Sequence, residues 1–195
     1  TWKLAPALAA GNCVIAKPSE ITPMSANLLA RTAQEIGFPA GVLNIVQGSG
    51  ETAGAALVSH RGVKAISFTG STAVGHRIAA TCADQFKKVT LEMGGKNPAL
   101  VFPDAPAQAL KTLVRSAFQN SGQICLCGSR ILIHRAIYED FKHAFVSEAE
   151  RLKIGPPSDP ETQLGPVMSE PHFRKVLSYI ALAREEGGNI LCGGD

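Results

Sequence analysis

The sequence predicts an α/β protein in which parallel β-strands are covered by helices. Short apolar runs alternate with longer segments of helical composition along the first half of the chain, a pattern typical of strand–helix–strand units. Glycine and polar residues follow these runs, where the carboxyl ends of parallel strands meet and ligands bind. The 195 residues are 45% hydrophobic and 18% charged, so enough apolar surface is available for a sizeable core.

The first half of the chain contains the clearest strand and helix signals. The apolar run at 13–16 is ended by Lys17 and Pro18, which is typical of a buried strand. Pro23 lies near the start of the following helix, and Gly37 ends it. The same reasoning predicts strands at 13–16, 42–46, 65–69 and 88–92, and helices at 24–36, 51–59 and 71–82.

The regular alternation of predicted strands and helices changes after Gly95. We therefore predict a domain boundary there, which divides the chain into residues 1–94 and 95–195. Pro103 and Pro106 frame a turn after a largely apolar segment at 97–102. The segments expected beyond this turn are helices at 107–118, 137–152 and 170–186, strands at 130–134 and 189–192, and loops at 120–128 and 155–166.

Composition and residue spacing exclude several classes of function. The net charge of +3 is small and the Lys and Arg residues are scattered, unlike a nucleic-acid-binding arm. The longest apolar stretch, 4–16, contains Pro6, Gly11 and Asn12, so no membrane helix is expected, and no secretory signal opens the chain. The five cysteines and five histidines lack metal-ligand spacing, and the odd cysteine number indicates a reducing compartment such as the cytoplasm.

Two glycine-containing segments follow predicted strands and open predicted helices. The first places Gly48, Gly50 and Gly54 in a GxGxxxG pattern, one residue longer than the dinucleotide fingerprint. The second, at 70–75, is not a nucleotide P-loop because His76 stands where lysine is needed. Either segment could bind a pyrophosphate at a helix N-terminus, or could simply form a tight turn.

Charged residues follow two of the predicted strands. Lys17 and Glu20 could hydrogen-bond the two hydroxyls of a ribose, and Glu20 would repel a 2′-phosphate; the alternative is a solvated loop. Glu92 ends another strand beside apolar residues. Desolvation there would disfavour the charged carboxylate and raise its pKa toward that of a useful general base. Alternatively, Glu92 pairs with one of the nearby lysines, which are Lys87, Lys88 and Lys96.

The polar loop at 120–128 contains two cysteines, Cys125 and Cys127. A cysteine in a polar loop at a domain junction is a candidate nucleophile. Cysteine is also among the most commonly buried residues, so either one could instead be a structural residue of the core.

Four segments, in order and with matching spacing, resemble the aldehyde dehydrogenase superfamily. Two are similar to its cofactor-binding segments: WKLAPALAAGN continuing to KPSE at 2–20, and FTGSTAVG at 68–75. The segment LEMGGKNP at 91–98 is similar to the glutamate signature, with Met93 where leucine is usual. The segment FQNSGQIC at 118–125 is similar to the cysteine signature. The resemblance extends from Trp2 to the last residues of the chain.

The resemblance implies roles for individual residues. Cys125 matches the catalytic nucleophile and Glu92 the general base, whereas Cys127 has no family role and is interpreted as structural. Lys17 and Glu20 match the contacts to the adenosine ribose, which implies NAD rather than NADP as the acceptor. The other implied cofactor-binding residues are Gly50, Phe68, Gly70, Ser71, Gly75 and Met93.

The fold implied by the resemblance is a modified Rossmann parallel sheet that continues into an α/β catalytic domain. The implied reaction is the NAD-dependent oxidation of an aldehyde to a carboxylic acid through a thiohemiacetal and a thioester on Cys125. Glu92 would activate the water that releases the acid, so its presence favours hydrolysis over transfer to coenzyme A. The implied partners are a small aldehyde and further copies of the chain, as a homodimer or homotetramer.

The sequence also departs from the family pattern. The asparagine that donates to the oxyanion, the later glutamate on the nicotinamide ribose and the oligomerisation strand are not found, so we expect a central fragment that is inactive alone. The run ICLC with Ser129 and Arg130 is similar to the branch that acts on muconic semialdehydes.

Two other functions compete with this interpretation. One is a non-catalytic descendant that serves as a binding or structural protein, as some lens crystallins of this fold do, although Cys125 and Glu92 argue against it. The other is a cysteine hydrolase with a Cys–His pair, for which His134 is the nearest histidine in sequence. That function would leave the cofactor segments unexplained.

Overall fold

The computed structural model describes residues 1–194, and the chain forms two compact units, Thr1–Met93 and Gly94–Asp195. Short parallel strands alternate with helices in both units. The α/β class predicted from the sequence is therefore confirmed.

The first unit contains four strands and four α-helices, counted over residues 1–93. A single turn of π-helix at Gly50–Gly54 precedes the third α-helix. The elements are α1 (Leu4–Ala9), β1 (Val14–Ala16), α2 (Met24–Glu35), β2 (Leu43–Ile45), α3 (Ala55–Ser59), β3 (Ala65–Gly70), α4 (Thr72–Ala83) and β4 (Lys88–Met93).

The strands of the first unit pair in parallel as β1 with β2 and β3 with β4. The register places Ala16 opposite Ile45, so both strands of the first pair end at the same edge. In the second pair Thr69 lies opposite Glu92 and Gly70 opposite Met93. The carboxyl ends that the sequence predicted to carry the site are thus aligned within each pair.

The second unit begins with a strand and is richer in helix. Its strands β5 and β6 pair in parallel, with Pro98 opposite Arg130 and Val101 opposite Ile133. Helix α5 packs against α6 through Phe118 and Phe145, whose ring centroids are 6.1 Å apart. The elements are β5 (Pro98–Val101), α5 (Ala109–Phe118), β6 (Arg130–Ile133), α6 (Tyr138–Glu150) and α7 (Glu170–Glu185), with 3₁₀ turns at Gln119–Gly122 and Arg135–Ile137.

Three segments differ from the sequence prediction. Strand β5 lies within the apolar segment 97–102, for which no strand was predicted. The stretch 4–9 forms helix α1, for which no element was predicted. Pro6 is the third residue of α1, where its missing N–H would have no intrahelical partner in any case. The strand predicted at 189–192 is wrong: these residues are not in a strand, because no ladder partner lies beside them among the described residues.

Buried lysine Lys87 ties the start of β4 to the end of α3. Its ammonium group donates to the carbonyl oxygen of Val58 and, at 2.8 Å, to that of His60. Carbonyls at the C-terminal end of a helix lack intrahelical partners and carry partial negative charge, so a lysine there is favourable.

Few apolar side chains are fully buried in the part of the chain that the structure describes. The buried apolar residues there are Cys82, Val101, Val114 and Cys127. Large apolar side chains such as Met24, Leu28 and Ile36 are exposed. No helix within residues 1–194 combines the length and the apolar composition needed to cross a membrane.

Candidate functional site

Lys17 and Glu20 form a polar corner just beyond the end of β1. The Lys17 Nζ atom donates to the carbonyl oxygens of Pro18 at 2.6 Å and Gly48 at 3.0 Å, and lies 3.3 Å from Glu20 Oε2. Because Gly48 follows β2, this lysine joins the carboxyl ends of the two paired strands. The structure therefore brings together two residues that the sequence placed in the ribose contact.

The carboxylate of Glu20 is held in its charged form. Its own backbone N–H, the Lys17 ammonium and the backbone N–H of Gly50 all donate to it, and they hold the pKa of Glu20 below its ordinary value. Burial acts in the opposite direction and is outweighed. The Glu20 carboxylate is therefore negatively charged at neutral pH and is paired with the positive charge of Lys17.

The ends of β3 and β4 carry the other predicted cofactor residues. Phe68 covers Gly70 so closely that a Cβ at Gly70 would collide with the phenyl ring. Gly75 is buried in α4, and a Cβ there would stand 2.7 Å from Met93 Sδ. At both positions a side chain would have to displace the end of Phe68 or Met93, and neither glycine has a positive φ.

Ser71 begins helix α4. Its Oγ atom accepts a hydrogen bond from the Val74 N–H at 3.4 Å, and its backbone is extended, as at other helix N-caps. The N-terminus of a twelve-residue helix thus follows directly after Gly70 at the carboxyl end of β3. Such a helix N-terminus can attract a phosphate group.

Glu92 is the second-last residue of β4, and its side chain is exposed. Apolar neighbours were expected to desolvate this carboxylate, whereas its side chain is exposed in the part of the chain that the structure describes. The alternation of a strand explains the result, since Leu91 is half-buried while Glu92 points to the opposite face. Within residues 1–194, Glu92 also has no salt bridge to Lys87, Lys88 or Lys96.

Cys125 lies in the second unit, in a tight turn. The Cys127 N–H donates to the Ile124 carbonyl oxygen at 3.0 Å, which closes the turn around Cys125 and Leu126. The Cys125 side chain is exposed, whereas Cys127 is buried with 8% of its surface accessible. The two cysteines are thus separated by a single residue and differ sharply in access.

The residues before this turn adopt an unusual backbone. Asn120, Ser121 and Gly122 have φ values of 54°, 55° and 73°, which is the left-handed region. Ser121 Oγ donates to the Gly165 carbonyl oxygen at 2.6 Å, and Gln123 Oε1 accepts from the Met168 N–H at 2.9 Å. These two bonds hold the strained segment against residues 165–168.

The residues after the turn are held by α5. Gly128 is buried, and its N–H donates to Ser116 Oγ at 3.2 Å. A Cβ at Gly128 would lie 3.1 Å from the same oxygen, so a larger residue would push the loop away from the helix.

Asn97 is a member of the site that the sequence analysis did not single out. Its Nδ2 atom donates to the carbonyl oxygens of Cys125 at 2.6 Å and Cys127 at 3.1 Å. Its place in the segment LEMGGKNP was visible in the sequence, but the spacing of 28 residues to Cys125 gives no signal of contact.

A cavity of about 280 Å³ lies beside Cys125 within the second unit. Its lining combines three glycines with both polar and apolar side chains. The lining residues are Gly94, Gly95, Lys96, Asn97, Gly122, Ile124, Cys125, Cys127 and Ser129. No group of three His, Cys, Asp or Glu side chains that could hold a metal ion occurs in residues 1–194.

Comparison with known proteins gives a family match over the whole chain. The sequence model of the "Aldehyde dehydrogenase family" matches residues 1–195. The 2-aminomuconic semialdehyde dehydrogenase of Bos taurus is 53% identical over 194 residues, which cover 99% of this chain and 40% of that protein. The 5-carboxymethyl-2-hydroxymuconate semialdehyde dehydrogenase of Escherichia coli is 47% identical, with 100% of this chain and 41% of that protein covered.

Solved structures give the same result. HpcC from Thermus thermophilus has a TM-score of 0.97 at 43% identity, over 100% of this chain and 38% of that one. Betaine aldehyde dehydrogenase from Staphylococcus aureus, solved in complex with NAD+, has a TM-score of 0.95 at 37% identity, over 100% of this chain and 39% of that one. The chain spans about two fifths of the length of the curated relatives it matches.

Proposed function

The chain belongs to the aldehyde dehydrogenase family, and from this premise we propose that the whole protein oxidises an aldehyde to a carboxylic acid with NAD as acceptor. The exposed Cys125, on a tight turn beside a cavity of about 280 Å³, carries this proposal. A nucleophilic thiol must be accessible to its substrate, and in this loop Cys125 is exposed while Cys127 is buried.

Cys125 is the proposed nucleophile. Its thiolate sulfur forms a bond to the aldehyde carbon, and the carbonyl electron pair moves onto oxygen to give a thiohemiacetal. Loss of hydride from that carbon converts the adduct to a thioester on Cys125. The developing oxyanion needs preorganised hydrogen-bond donors, as in other acyl-transfer sites.

Glu92 is the proposed base of the second half-reaction. Its carboxylate accepts a proton from water, directly or through a second water, and the resulting hydroxide attacks the thioester carbon. The carbon–sulfur bond then breaks, the acid leaves and the Cys125 thiolate is restored. The exposed position of Glu92 in its own unit is compatible with access to water.

The residues of the first unit fit an NAD molecule. When bound, NAD supplies the acceptor for the hydride that leaves the aldehyde carbon. Lys17 and the charged Glu20 would bind the hydroxyls of its adenosine ribose, and the fixed negative charge of Glu20 would disfavour the 2′-phosphate of NADP.

The segment 68–75 and Met93 would contact the pyrophosphate and the nicotinamide side of NAD. Gly70 and Gly75 are closely approached by Phe68 and Met93, and the N-cap of α4, Ser71, lies between the two glycines. This arrangement supports contacts of Phe68, Gly70, Ser71, Gly75 and Met93 with the pyrophosphate and nicotinamide side of the cofactor.

The proposed substrate is a semialdehyde. Support comes from the two relatives whose names specify muconate-type semialdehydes, at 53% and 47% identity. The segment ICLC with Ser129 and Arg130 supports the same branch of the family.

We also propose that the chain is divided into a cofactor-binding part at 1–94 and a catalytic part at 95–195. The whole protein is further proposed to assemble as a homodimer or homotetramer and to be located in the cytoplasm.

The nucleophile is tested by paired substitutions in the whole protein. We expect Cys125→Ala to abolish NADH formation, a loss of at least about a thousandfold, and Cys127→Ala to retain most of it. NADH absorbance with a muconate-type semialdehyde measures both. If Cys127→Ala were the inactive variant, the assignment of Cys125 would be wrong.

Labelling by iodoacetamide adds an independent readout. An activated Cys125 thiol should react rapidly, and NAD should change its rate. A slow rate that NAD leaves unchanged would instead favour a non-catalytic descendant of the family.

A further inference from the structure

We propose that Asn97 is a positioning residue, whose side-chain amide holds the Cys125 turn in the orientation that catalysis requires. The inference rests on the proposed role of Cys125 as nucleophile.

The amide group of Asn97 bridges both ends of the Cys125–Cys127 segment. The Nδ2 atom carries two hydrogens, and two carbonyl oxygens lie within reach: Cys125 O at 2.6 Å and Cys127 O at 3.1 Å. Fixing the Cys125 carbonyl fixes the peptide plane that follows Cys125. The direction of its Cα–Cβ bond, and so of the thiol, is restricted with it.

The turn needs such a restraint because Cys125 is exposed. Within residues 1–194 its side chain is not packed into the core. The other anchors lie further along the loop, at Ser121 and Gln123 on one side and at Gly128 on the other. Asn97 supplies the bond at Cys125 itself.

Asn97 is itself held firmly. It immediately precedes β5, and its carbonyl oxygen accepts the Arg130 N–H at 3.3 Å at the start of the β5–β6 pair. The Arg130 Nε atom also donates to the Lys96 carbonyl oxygen at 2.9 Å. The amide therefore transmits the rigidity of a paired strand to the turn.

If Asn97 only positions Cys125, its removal should affect kcat and the alkylation rate of the Cys125 thiol differently. Displacing a reacting group by about 1 Å can lower a rate about a hundredfold. Alkylation of an exposed thiol has no such geometric demand, since the reagent can approach from many directions. Removing the amide donor should therefore lower kcat much more than it lowers the alkylation rate.

The experiment uses the whole protein with Asn97→Leu, which keeps the approximate shape of the side chain and lacks a donor. We expect kcat to fall about a hundredfold. The KM for NAD should stay unchanged, and the iodoacetamide rate at Cys125 should stay within about threefold of the parent value. Alkylation is measured over a pH series, so that a change in thiolate fraction is separated from a change in position.

The matched control is Asn44→Leu. Asn44 Nδ2 also bridges two carbonyl oxygens, Val14 at 3.3 Å and Gly41 at 2.8 Å, but in the first unit. We expect this variant to lower the unfolding temperature while leaving kcat nearly unchanged. If Asn97→Leu does not fold, the isosteric Asn97→Asp, which also lacks the donor, is judged by the same criteria.

Two results would overturn the proposal. One is an unchanged kcat in a folded Asn97 variant while Cys125→Ala is inactive, which would leave the proposed function standing. The other is an equal fall in kcat and in the alkylation rate, which would indicate that Asn97 activates the thiol instead. Activity of Cys125→Ala would contradict the proposed function itself, and the role of Asn97 with it.

Discussion

Cys125 and Cys127 are separated by a single residue, yet their environments are opposite. The chain turns between Ile124 and Cys127, so that one side chain is exposed and the other is directed into the unit. Residue type and position in the loop could not distinguish them, because both are cysteines of the same polar loop. The family signature singled out Cys125, and the exposure of the two side chains supports that choice independently.

A single substitution, Glu92→Gln, tests the proposed role of Glu92 in the hydrolysis of the thioester. In Glu92→Gln the thioester should still form, so a first turnover should release about one NADH per site, after which steady turnover falls about a hundredfold or more. Stopped-flow absorbance separates the burst from the steady rate. Deacylation would thereby become the slow step.

A surface glutamate of the same unit provides the control. Glu35→Gln affects an exposed side chain that lies 4.0 Å from Arg31, and it should change neither phase. Absence of the burst in Glu92→Gln, with normal alkylation of Cys125, would show that Glu92 acts before hydride transfer.

The surroundings of individual side chains could not be predicted from their neighbours in sequence. Glu92 was expected to be desolvated, because apolar neighbours in sequence were taken as neighbours in space. In a strand, adjacent residues point to opposite faces, so Leu91 and Met93 do not cover the side chain between them. The contact of Asn97 with Cys125 was missed for the complementary reason, since 28 residues separate them.

At the scale of elements, the contact between Gly75 and Met93 fixes α4 against β4. Gly75→Ala would add a methyl group 2.7 Å from Met93 Sδ. Overpacking costs about 1–3 kcal/mol, and the better helix propensity of alanine offsets about 1 kcal/mol of this. We therefore expect a net loss of about 1 kcal/mol in the free energy of unfolding, measured by urea denaturation of the whole protein.

A double-mutant cycle tests the cause of that loss. Adding Met93→Ala to Gly75→Ala removes the clashing sulfur, so the two losses should not sum and the coupling should be about 1 kcal/mol. Additive losses would mean that Met93 moves aside at no cost and that the contact does not fix the helix.

Most elements could be predicted from the sequence, because apolar runs and terminating glycines or prolines bounded them. The strands at 65–69 and 88–92 each proved one residue longer than predicted, and α4 begins one residue after Ser71, its N-cap. Helix α1 was not predicted; Pro6 lies in its first turn. The supposed strand at 189–192 shows the opposite limit, since an apolar run becomes a strand only where a partner pairs with it.

At the scale of the whole molecule, we expect the isolated chain to be a poor enzyme because its packing is sparse. Among the described residues each sheet has only two strands, and few apolar side chains are fully buried. Two-stranded sheets are marginal in water, where three or more strands or additional packing are usually needed. The 195-residue chain therefore lacks much of the packing that would hold its site in place.

We expect the purified chain to show no aldehyde oxidation above background when mixed with NAD and a muconate-type semialdehyde. NADH absorbance provides the measurement, and the whole protein under identical conditions provides the positive control. Measurable turnover by the 195-residue chain would contradict the expectation.

The buried amine of Lys87 has a consequence for following the folded state of the first unit. Both carbonyl partners belong to the end of α3 and the residue after it, so the amine is withheld from water only while α3 and β4 stay together. An acylating reagent that modifies accessible lysines would leave Lys87 unmodified until that contact opens. The extent of acylation at this one position, read by mass spectrometry, is therefore a chemical record of how often the first unit unfolds.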